Sequence, residues 1–265
     1  MYTSAQLAKK YIRYYLSASN GKGHGTHSPF VFDFILNVLN NKSNYHPPEA
    51  IERLRKELLQ NNTILQIEDL GAGSRTMHFK QRSIKQLAGT ALKSKKLAQL
   101  FFRLVCHYQP QTIVELGTSL GITTAYLASG NPSAQIISVE GSKAIADVAM
   151  SGFKKLGLHH IQSVVGNFDD VLPGIVNDYS AIDLAFIDGN HRYQPTINYF
   201  EQLLTRSHKN TILVFDDIYW SAEMEKAWTE IKQHPSVQYS IDIFFLGFVF
   251  FKNEFKEKQH FKIRY

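Results

Sequence analysis

The sequence has 265 residues, of which 44% are hydrophobic and 20% are charged. This composition is typical of globular proteins and excludes a chain that is mostly disordered. The N-terminus lacks a signal-peptide pattern, and no run approaches the roughly 18 apolar residues of a membrane span, so we expect a cytoplasmic protein with no membrane partner.

The net charge of +6 is unevenly distributed along the chain. Residues 1–105 carry 16 Lys/Arg and 6 Asp/Glu, a net charge of +10, whereas residues 106–265 have a net charge of −4. Clustered basic residues can bind the phosphates of RNA, or they can form an ordinary solvated face. Both interpretations stay open at this point.

The first part of the chain shows helical periodicity without strong strands. Helices are predicted near residues 3–19, 29–40, 48–61 and 92–108. We therefore assign residues 1–90 to a helical N-terminal extension or lid. The single cysteine, Cys106, excludes an internal disulfide and lies in an apolar helical stretch, which indicates a packing role.

From Gln111 onwards, short β-branched runs alternate with amphipathic segments, a pattern typical of βαβ units. Strands are predicted near residues 112–116, 135–139, 161–165, 182–187 and 210–215. Two further apolar runs, 237–245 and 248–252, are separated only by Leu246-Gly247, too short for a crossover helix, so they should form an antiparallel hairpin. The predicted fold class for residues 91–265 is α/β, a doubly wound, mostly parallel, seven-stranded sheet closed by this C-terminal hairpin.

A glycine-rich turn follows the first of these strands. Glu115 ends the strand, and Gly117, Thr118, Ser119 and Gly121 follow. Glycines allow the backbone to approach a ligand closely at the start of a helix. We predict that these five residues bind a cofactor, although such a turn alone is weak support.

Two later strand ends strengthen the prediction. The second strand ends at Glu140-Gly141-Ser142, where a carboxylate can accept both hydroxyls of an adenosine ribose. The third is followed by Gly166-Asn167-Phe168, where Asn167 can bind adenine and Phe168 can stack on it. A solvated strand end is the alternative for Glu140.

Three carboxylates follow the fourth and fifth strands, namely Asp188, Asp216 and Asp217. Carboxylates that meet at one edge of a sheet repel each other unless they are neutralised, and oxygen ligands suit Mg²⁺. We predict a metal site there, with Asp188 also contacting the cofactor. For Asp217, a helix cap for the segment near Trp220 is the alternative.

Together these segments resemble the catechol O-methyltransferase type of class I methyltransferases, over about residues 90–252. The resemblance rests on Val114 to Gly121, Glu140, Gly166-Asn167, Phe186 to Tyr193 and Asp216-Asp217. It implies S-adenosylmethionine as cofactor and a divalent cation held by Asp188 and by Asp216 with Asp217. The sequence departs from the family pattern at Asp217, where Asn is expected, and at His191, where the catalytic lysine is expected.

His191 can take a proton from a hydroxyl, because imidazole titrates near neutrality. It can equally ligate the metal, or hydrogen-bond a carboxylate for structural reasons. We predict Asp188 and His191 as catalytic residues. Tyr193 and Trp220 flank this region and are predicted to stack on a flat acceptor, with core packing as the alternative.

Two further segments carry open roles. Asp69 to Ser74 resembles a cofactor loop, but no β-branched strand follows at the required distance, so we favour a turn between helices over a loop near the acceptor. His24 and His27 lie in a Gly-rich segment that can pack over the cofactor or, less readily, bind metal.

These observations predict an S-adenosylmethionine-dependent O-methyltransferase with a small-molecule acceptor and a divalent cation. An RNA or tRNA methyltransferase that uses the basic N-terminal region is the first alternative, and a non-catalytic cofactor-binding protein is the second. Apolar helices in residues 1–90 suggest a homodimer.

Overall fold

The computed structural model describes residues 1–23, 28–41, 45–69, 78–252 and 257–265. Within them the helices are α1 (Ser4–Ser17), α2 (Pro29–Phe34), α3 (Glu49–Gln60), α4 (Ile84–Ala91), α5 (Lys95–Tyr108), α6 (Ile122–Gly130), α7 (Lys143–Lys155), α8 (Phe168–Asp178), α9 (Tyr193–Leu204) and α10 (Ala222–Gln233). A π-helical turn, Ile35–Leu39, continues α2.

The same described residues also form ten strands. They are β1 (Ile64–Asp69), β2 (His78–Ser83), β3 (Thr112–Leu116), β4 (Gln135–Glu140), β5 (Ile161–Val165), β6 (Leu184–Ile187), β7 (Ile212–Asp216), β8 (Tyr239–Asp242), β9 (Leu246–Phe250) and β10 (Gln259–Lys262). The seven strands predicted from the sequence correspond to β3 through β9.

The chain divides into two compact units. The first unit combines residues 1–40 with residues 172–265, and the second comprises residues 41–171. The sequence-based boundary between residues 90 and 91 falls inside the second unit, and it stays a prediction about domain organisation.

Most strand pairs are parallel. The strand order is β10-β8-β9-β7-β6 in the first unit and β3-β4-β5 in the second. Parallel pairing joins β3 to β4, β4 to β5, and β6 to β7, whereas β9 is antiparallel to both β7 and β8. The predicted α/β class, mostly parallel sheet and antiparallel C-terminal hairpin are confirmed.

The central strands are apolar along their whole length. Every residue of β6 and of β7 is buried, as expected for parallel strands that are covered on both faces. Polar side chains that serve a ligand must therefore lie where the strands end.

The description of the N-terminal region as helical without strong strands is wrong for β1 and β2. These strands pair as an antiparallel ladder from Ile64↔Ser83 to Asp69↔His78. Leu65 and Ile67 of β1 pack against the core of the second unit, but β2 contains a single apolar residue, Phe79, and so gives no strand signal in the sequence. Helix α4 was also missed. Its cap, Ser83, accepts the N–H of Gln86 at Oγ and donates its own N–H to Gln86 Oε1.

Asp69 is the last residue of β1, so the segment that begins there does not start as a turn between helices. Residues 70–74 lie outside the described residues, as do His24 and His27.

The predicted count of seven strands is one short, because β10 pairs in parallel with β8. The residues of β10 are Gln-His-Phe-Lys, so Phe261 is its only apolar side chain. A strand with so little apolar character is not distinguished from a loop by periodicity.

The hairpin turn lies earlier than predicted. Leu246 and Gly247 belong to β9, and Gly247 pairs with Asp242. Phe244 adopts φ 72°, and its backbone N–H donates to Asp242 Oδ1 at 2.8 Å. This side-chain bond closes the turn over residues 243–245, where the sequence suggested only an apolar run.

Among the residues that the structure describes, no helix is both long enough and apolar enough to cross a membrane.

Replacing Gly247 with Ala should destabilise the first unit. A Cβ at Gly247 would lie 2.6 Å from Cη2 of Trp228, which is 2% exposed, and such overpacking costs about 1–3 kcal/mol. Gly174→Ala in α8 is the control, because its Cβ would meet nothing within 4 Å and Ala gains about 0.5–1 kcal/mol over Gly inside a helix. Urea unfolding measures both changes, and wild-type stability of Gly247→Ala would contradict the packing described.

Candidate active site

The turn between β3 and α6 has an unusual backbone. Gly117, Ser119 and Gly121 have φ of 111°, 49° and 79°, all in the left-handed region that favours glycine. The N–H groups of Gly117 and Thr118 donate to the carbonyl of Val139 at 2.9 and 3.0 Å. The turn is therefore held against β4 and leads into α6. The N-cap residue of α6 is Gly121, so no side chain caps the first N–H groups of this helix.

Gly121 is also required by packing. A Cβ on this residue would lie 2.6 Å from Cε1 of Phe153 and 3.1 Å from Cβ of Ala149. Helix α7 therefore lies directly against the turn, and only glycine satisfies both the contact and the backbone angle.

Glu115 lies beneath the turn. Its side chain is fully buried and accepts hydrogen bonds from Thr124 Oγ1 at 2.5 Å and Ser138 Oγ at 2.6 Å. Ser138 Oγ lies 2.5 Å from Thr118 Oγ1. This network joins β3, β4, α6 and the turn, so the geometry gives Glu115 a supporting position under the predicted cofactor loop.

Glu140, at the end of β4, faces the same turn. Its Oε2 accepts the N–H of Ser119 at 2.8 Å and its Oε1 accepts the N–H of Ser142 at 3.0 Å. The buried Ser142 hydroxyl has no hydrogen-bond partner within the part of the chain that the structure describes. Two backbone donors therefore fix the Glu140 carboxylate at the end of β4.

The segment after β5 lies beside Glu140, since the N–H of Gly166 donates to the Glu140 carbonyl at 3.0 Å. Asn167 Oδ1 accepts the N–H of Asp169 at 3.1 Å, and α8 begins at Phe168. The predicted cofactor residues 115–121, 140–142 and 166–168 thus surround the ends of β3, β4 and β5 in the second unit.

The first unit brings together three potential metal ligands. Asp188 follows β6, Asp216 ends the neighbouring parallel strand β7, and His191 lies three residues after Asp188. One ligand atom from each lies within 4.8 Å of the others. The distance from His191 Nε2 to Asp188 Oδ1 is 3.8 Å, which is too long for a hydrogen bond and does not support the purely structural role for His191.

Asp217 is not a member of this three-residue group. Its φ is 53°, its N–H donates to the carbonyl of Phe245 at 2.8 Å, and its own carbonyl accepts the N–H of Trp220 at 2.8 Å. The helix-cap alternative for Asp217 is wrong, because Ser221 caps α10 through a bond from the N–H of Met224 at 3.1 Å.

Asp217 instead lines a cavity of about 300 Å³, which we call the aromatic cavity. The residues around it are Leu7, Ala8, Tyr11, Asp217, Tyr219, Trp220, Phe244 and Phe245. The sequence predicted Trp220 and Asp217 as site residues but missed the contribution of α1. The spacing of Tyr11, Tyr14 and Tyr15 on one predicted helix was the available signal.

A buried carboxylate lies beside the aromatic cavity. Asp242 is 2% exposed, and its Oδ2 accepts the hydroxyl of Tyr219 at 2.6 Å. Burial raises the pKa of Asp242, while the bonds from Tyr219 and Phe244 and two nearby lysines act in the opposite direction. Burial also raises the pKa of Tyr219, so this phenol stays a neutral donor at physiological pH.

Tyr193, predicted as an acceptor residue, points elsewhere. Its hydroxyl donates to Glu230, and Lys226 Nζ lies 3.9 Å from its ring centroid. Both partners belong to α10, so Tyr193 does not line the aromatic cavity. Its predicted role is left without structural support.

Cys106 has the properties of a packing residue. Burial raises the pKa of its thiol to about 11, and Sγ lies 3.5 Å from the carbonyl of Gly130. A thiol with this pKa is almost entirely protonated near neutrality and is a poor nucleophile.

Comparison with known proteins gives a consistent result. Residues 114–218 match the profile of a methyltransferase domain. An O-methyltransferase from Bacillus cereus, solved in complex with SAH, is 20% identical with a TM-score of 0.57, over 78% of this chain and 93% of that one. A SAH-bound methyltransferase from Podospora anserina is 13% identical with a TM-score of 0.61, over 96% of this chain and 98% of that one.

A curated relative is similar over a shorter stretch. A tRNA (guanine-N(7)-)-methyltransferase from Mycoplasma mobile is 35% identical over 77 residues, which are 29% of this chain and 38% of that protein. The chain therefore spans well under half the length of this relative.

Residues 114–218 therefore form a methyltransferase domain, and the fold is similar to that of solved methyltransferases. The similarity in fold to an O-methyltransferase agrees with the methyltransferase fold that the sequence motifs predicted.

Replacing Gly121 with Ala should weaken cofactor binding. The variant must bear both an unfavourable φ of 79° and a clash with Phe153, which together should cost about 1–3 kcal/mol and distort the turn. Gly89→Ala, at a site in α4 with nothing within 4 Å, is the control in the same unit.

Calorimetric titration with S-adenosylhomocysteine measures the effect. We expect an affinity loss of about tenfold or more for Gly121→Ala and no change for Gly89→Ala. Equal affinities in a folded Gly121→Ala protein would contradict a role of the turn in binding.

Proposed function

We propose that this protein transfers a methyl group from S-adenosylmethionine to a hydroxyl of a small molecule, assisted by a divalent cation such as Mg²⁺. The observation that carries the proposal is the meeting of Asp188, His191 and Asp216 at neighbouring strand ends. Carboxylates at this spacing are stabilised by a hard cation, which supports metal-assisted chemistry.

The second unit is suited to hold the cofactor. Glu140 is positioned by two backbone donors and would accept the ribose hydroxyls, and the unpartnered Ser142 hydroxyl would gain a partner from the same ligand. Gly117, Thr118, Ser119 and Gly121 would line the rest of the cofactor. Gly166, Asn167 and Phe168 would form the adenine edge, while Glu115 supports the turn from below.

In the first unit, Asp188 and Asp216 would hold the cation, and His191, which lies beside both carboxylates, would act as the base rather than as a ligand. S-adenosylmethionine supplies an activated methyl group, and a bound cation lowers the pKa of a coordinated hydroxyl. His191 would accept the hydroxyl proton and release it to solvent, since its side chain is 27% exposed. Orientation of the acceptor should contribute most of the rate enhancement.

Binding of Mn²⁺ should depend on Asp188 and Asp216 but not on Asp217. Asp188→Asn and Asp216→Asn should each weaken Mn²⁺ binding by about tenfold or more, because even outer-shell changes cost a metal site about 10–100-fold. Asp217→Asn should bind as the wild type does. Asp178→Asn, at the exposed end of α8, controls for the loss of one negative charge.

Calorimetric titration with Mn²⁺ distinguishes the two possible ligand sets. An equally large loss in Asp217→Asn would restore the ligand set predicted from the sequence. Absence of Mn²⁺ binding in the wild type, or methyl transfer unaffected by a chelator, would remove the cation from the proposal.

Methylation of RNA is the second candidate, favoured by the partial match to a tRNA methyltransferase and by the +10 charge of residues 1–105. If the protein acts on small molecules, it should not bind bulk tRNA even at low salt. Fluorescence anisotropy with labelled tRNA over a salt series tests this expectation, because phosphate contacts give an affinity that falls steeply with salt. Tight, salt-dependent binding would favour the RNA candidate.

A homodimer is also proposed. Ile12 and Leu16 of α1 are 59% and 75% exposed, and apolar side chains on one helix are suited to contact a second copy. A cytoplasmic location remains our prediction from the sequence.

A further inference from the structure

We propose that the aromatic cavity binds an ammonium group carried by the methyl acceptor, with Asp217 as the counter-charge. This inference rests on the proposed function for the identity of the ligand as the acceptor. The binding property itself follows from the cavity alone.

The lining of the aromatic cavity is suited to a cation. Of its eight lining residues, five are aromatic, one is a carboxylate and none is basic within the described chain. Aromatic ring faces carry partial negative charge and attract ammonium groups, more strongly when water is excluded. The same lining disfavours phosphates and carboxylates.

The rings present faces in several directions. Tyr219 and Phe244 stack with centroids 5.0 Å apart at 18°, whereas Phe244 meets Phe245 at 85° and Tyr11 at 84°. A rigid group of rings at such different angles is suited to enclose a compact charge rather than only to sandwich a flat ring.

None of the three basic residues of α1, Lys9, Lys10 and Arg13, lines the aromatic cavity. Lys10 Nζ lies 2.6 Å from Glu225 Oε1 and 4.3 Å from the ring centroid of Tyr2. Lys10 does not line the aromatic cavity, so Asp217 contributes the formal charge there.

Helix α1 is held at both ends, so the aromatic cavity is already formed. The N–H of Tyr2 donates to the carbonyl of Trp220 at 3.0 Å, and Arg264 Nε donates to the carbonyl of Tyr15 at 2.7 Å. Between them, the buried Tyr14 hydroxyl donates to the carbonyl of Asp242 at 2.9 Å. A preformed cavity loses little free energy in ordering when a ligand binds.

The position of Asp217 relates the aromatic cavity to the proposed chemistry. Its chain neighbour Asp216, whose Cα lies about 3.8 Å away, belongs to the group of potential metal ligands. An acceptor with its ammonium in the aromatic cavity can therefore direct a hydroxyl towards that group. A volume of about 300 Å³ is near the lower end for ligand pockets, which indicates an amine of about one ring in size.

The test compares three probes that differ in charge: 2-phenylethylammonium, neutral 2-phenylethanol and anionic 3-phenylpropanoate. Tryptophan fluorescence provides the signal, because Trp220 lines the aromatic cavity and is 37% exposed, whereas Trp228, the only other tryptophan, is 2% exposed. We expect the ammonium probe to bind about tenfold more tightly than the alcohol, the scale of a desolvated cation–π contact. The carboxylate should bind most weakly.

Asp217→Asn removes the charge and keeps the backbone, since Asn also tolerates the left-handed φ of 53°. This variant should lose about tenfold in affinity for the ammonium probe and none for the alcohol. Glu201→Gln, an exposed change on α9, should alter neither affinity.

A wild-type protein that shows no preference for the ammonium probe, or an Asp217→Asn variant that retains the preference, overturns the proposal. If the preference depends on Asp217 but the protein methylates no hydroxyl compound, the binding of ammonium groups in the aromatic cavity stands and the proposed function fails. The binding and turnover results therefore separate the two.

Discussion

The buried carboxylate of Asp242 is the constraint on which the first unit's site depends. It accepts the Phe244 N–H and the Tyr219 hydroxyl, and the carbonyl of the same residue accepts the Tyr14 hydroxyl. One residue thereby fixes the hairpin turn, the segment after β7 and helix α1. A buried carboxylate is destabilising unless it is hydrogen-bonded. The hydrogen bonds to Asp242 are therefore needed for stability, and they couple these three parts of the aromatic cavity.

The second unit uses carboxylates in two distinct ways at adjacent strand ends. Glu115 is fully buried and bonded to two hydroxyls, so its function is to support the turn. Glu140 is fixed by backbone N–H groups at the surface of the same turn, where a ligand can reach it. The sequence predicted both residues in one cofactor site, but burial distinguishes the supporting position of Glu115 from the accessible carboxylate of Glu140, for which we propose the ligand contact.

Sequence patterns predicted the parts of the fold that depend on continuous apolar runs. Strands β6 and β7 are entirely buried, and their continuous apolar sequences can be recognised as strands without structural information. The polar strands β2 and β10 are formed by pairing with β1 and β8, a long-range interaction that local periodicity does not contain. The site divides in the same way. Strand-end residues such as Asp188 and Asp216 were predictable. The tyrosine spacing of α1 marks an aromatic helix face, but it does not show that Tyr11 meets Phe244, more than 200 residues away.

Asp216 and Asp217 illustrate why adjacent identical residues need not share a role. Asp216 ends β7 in extended conformation and is 2% exposed, whereas Asp217 turns into the left-handed region and is tied to Phe245. Because the backbone conformation changes at one peptide, Asp216 belongs to the group of potential metal ligands and Asp217 lines the aromatic cavity. Asp tolerates the left-handed region better than most residues. The departure from the Asn that the family resemblance implies therefore preserves the backbone and adds a charge to the lining of the aromatic cavity.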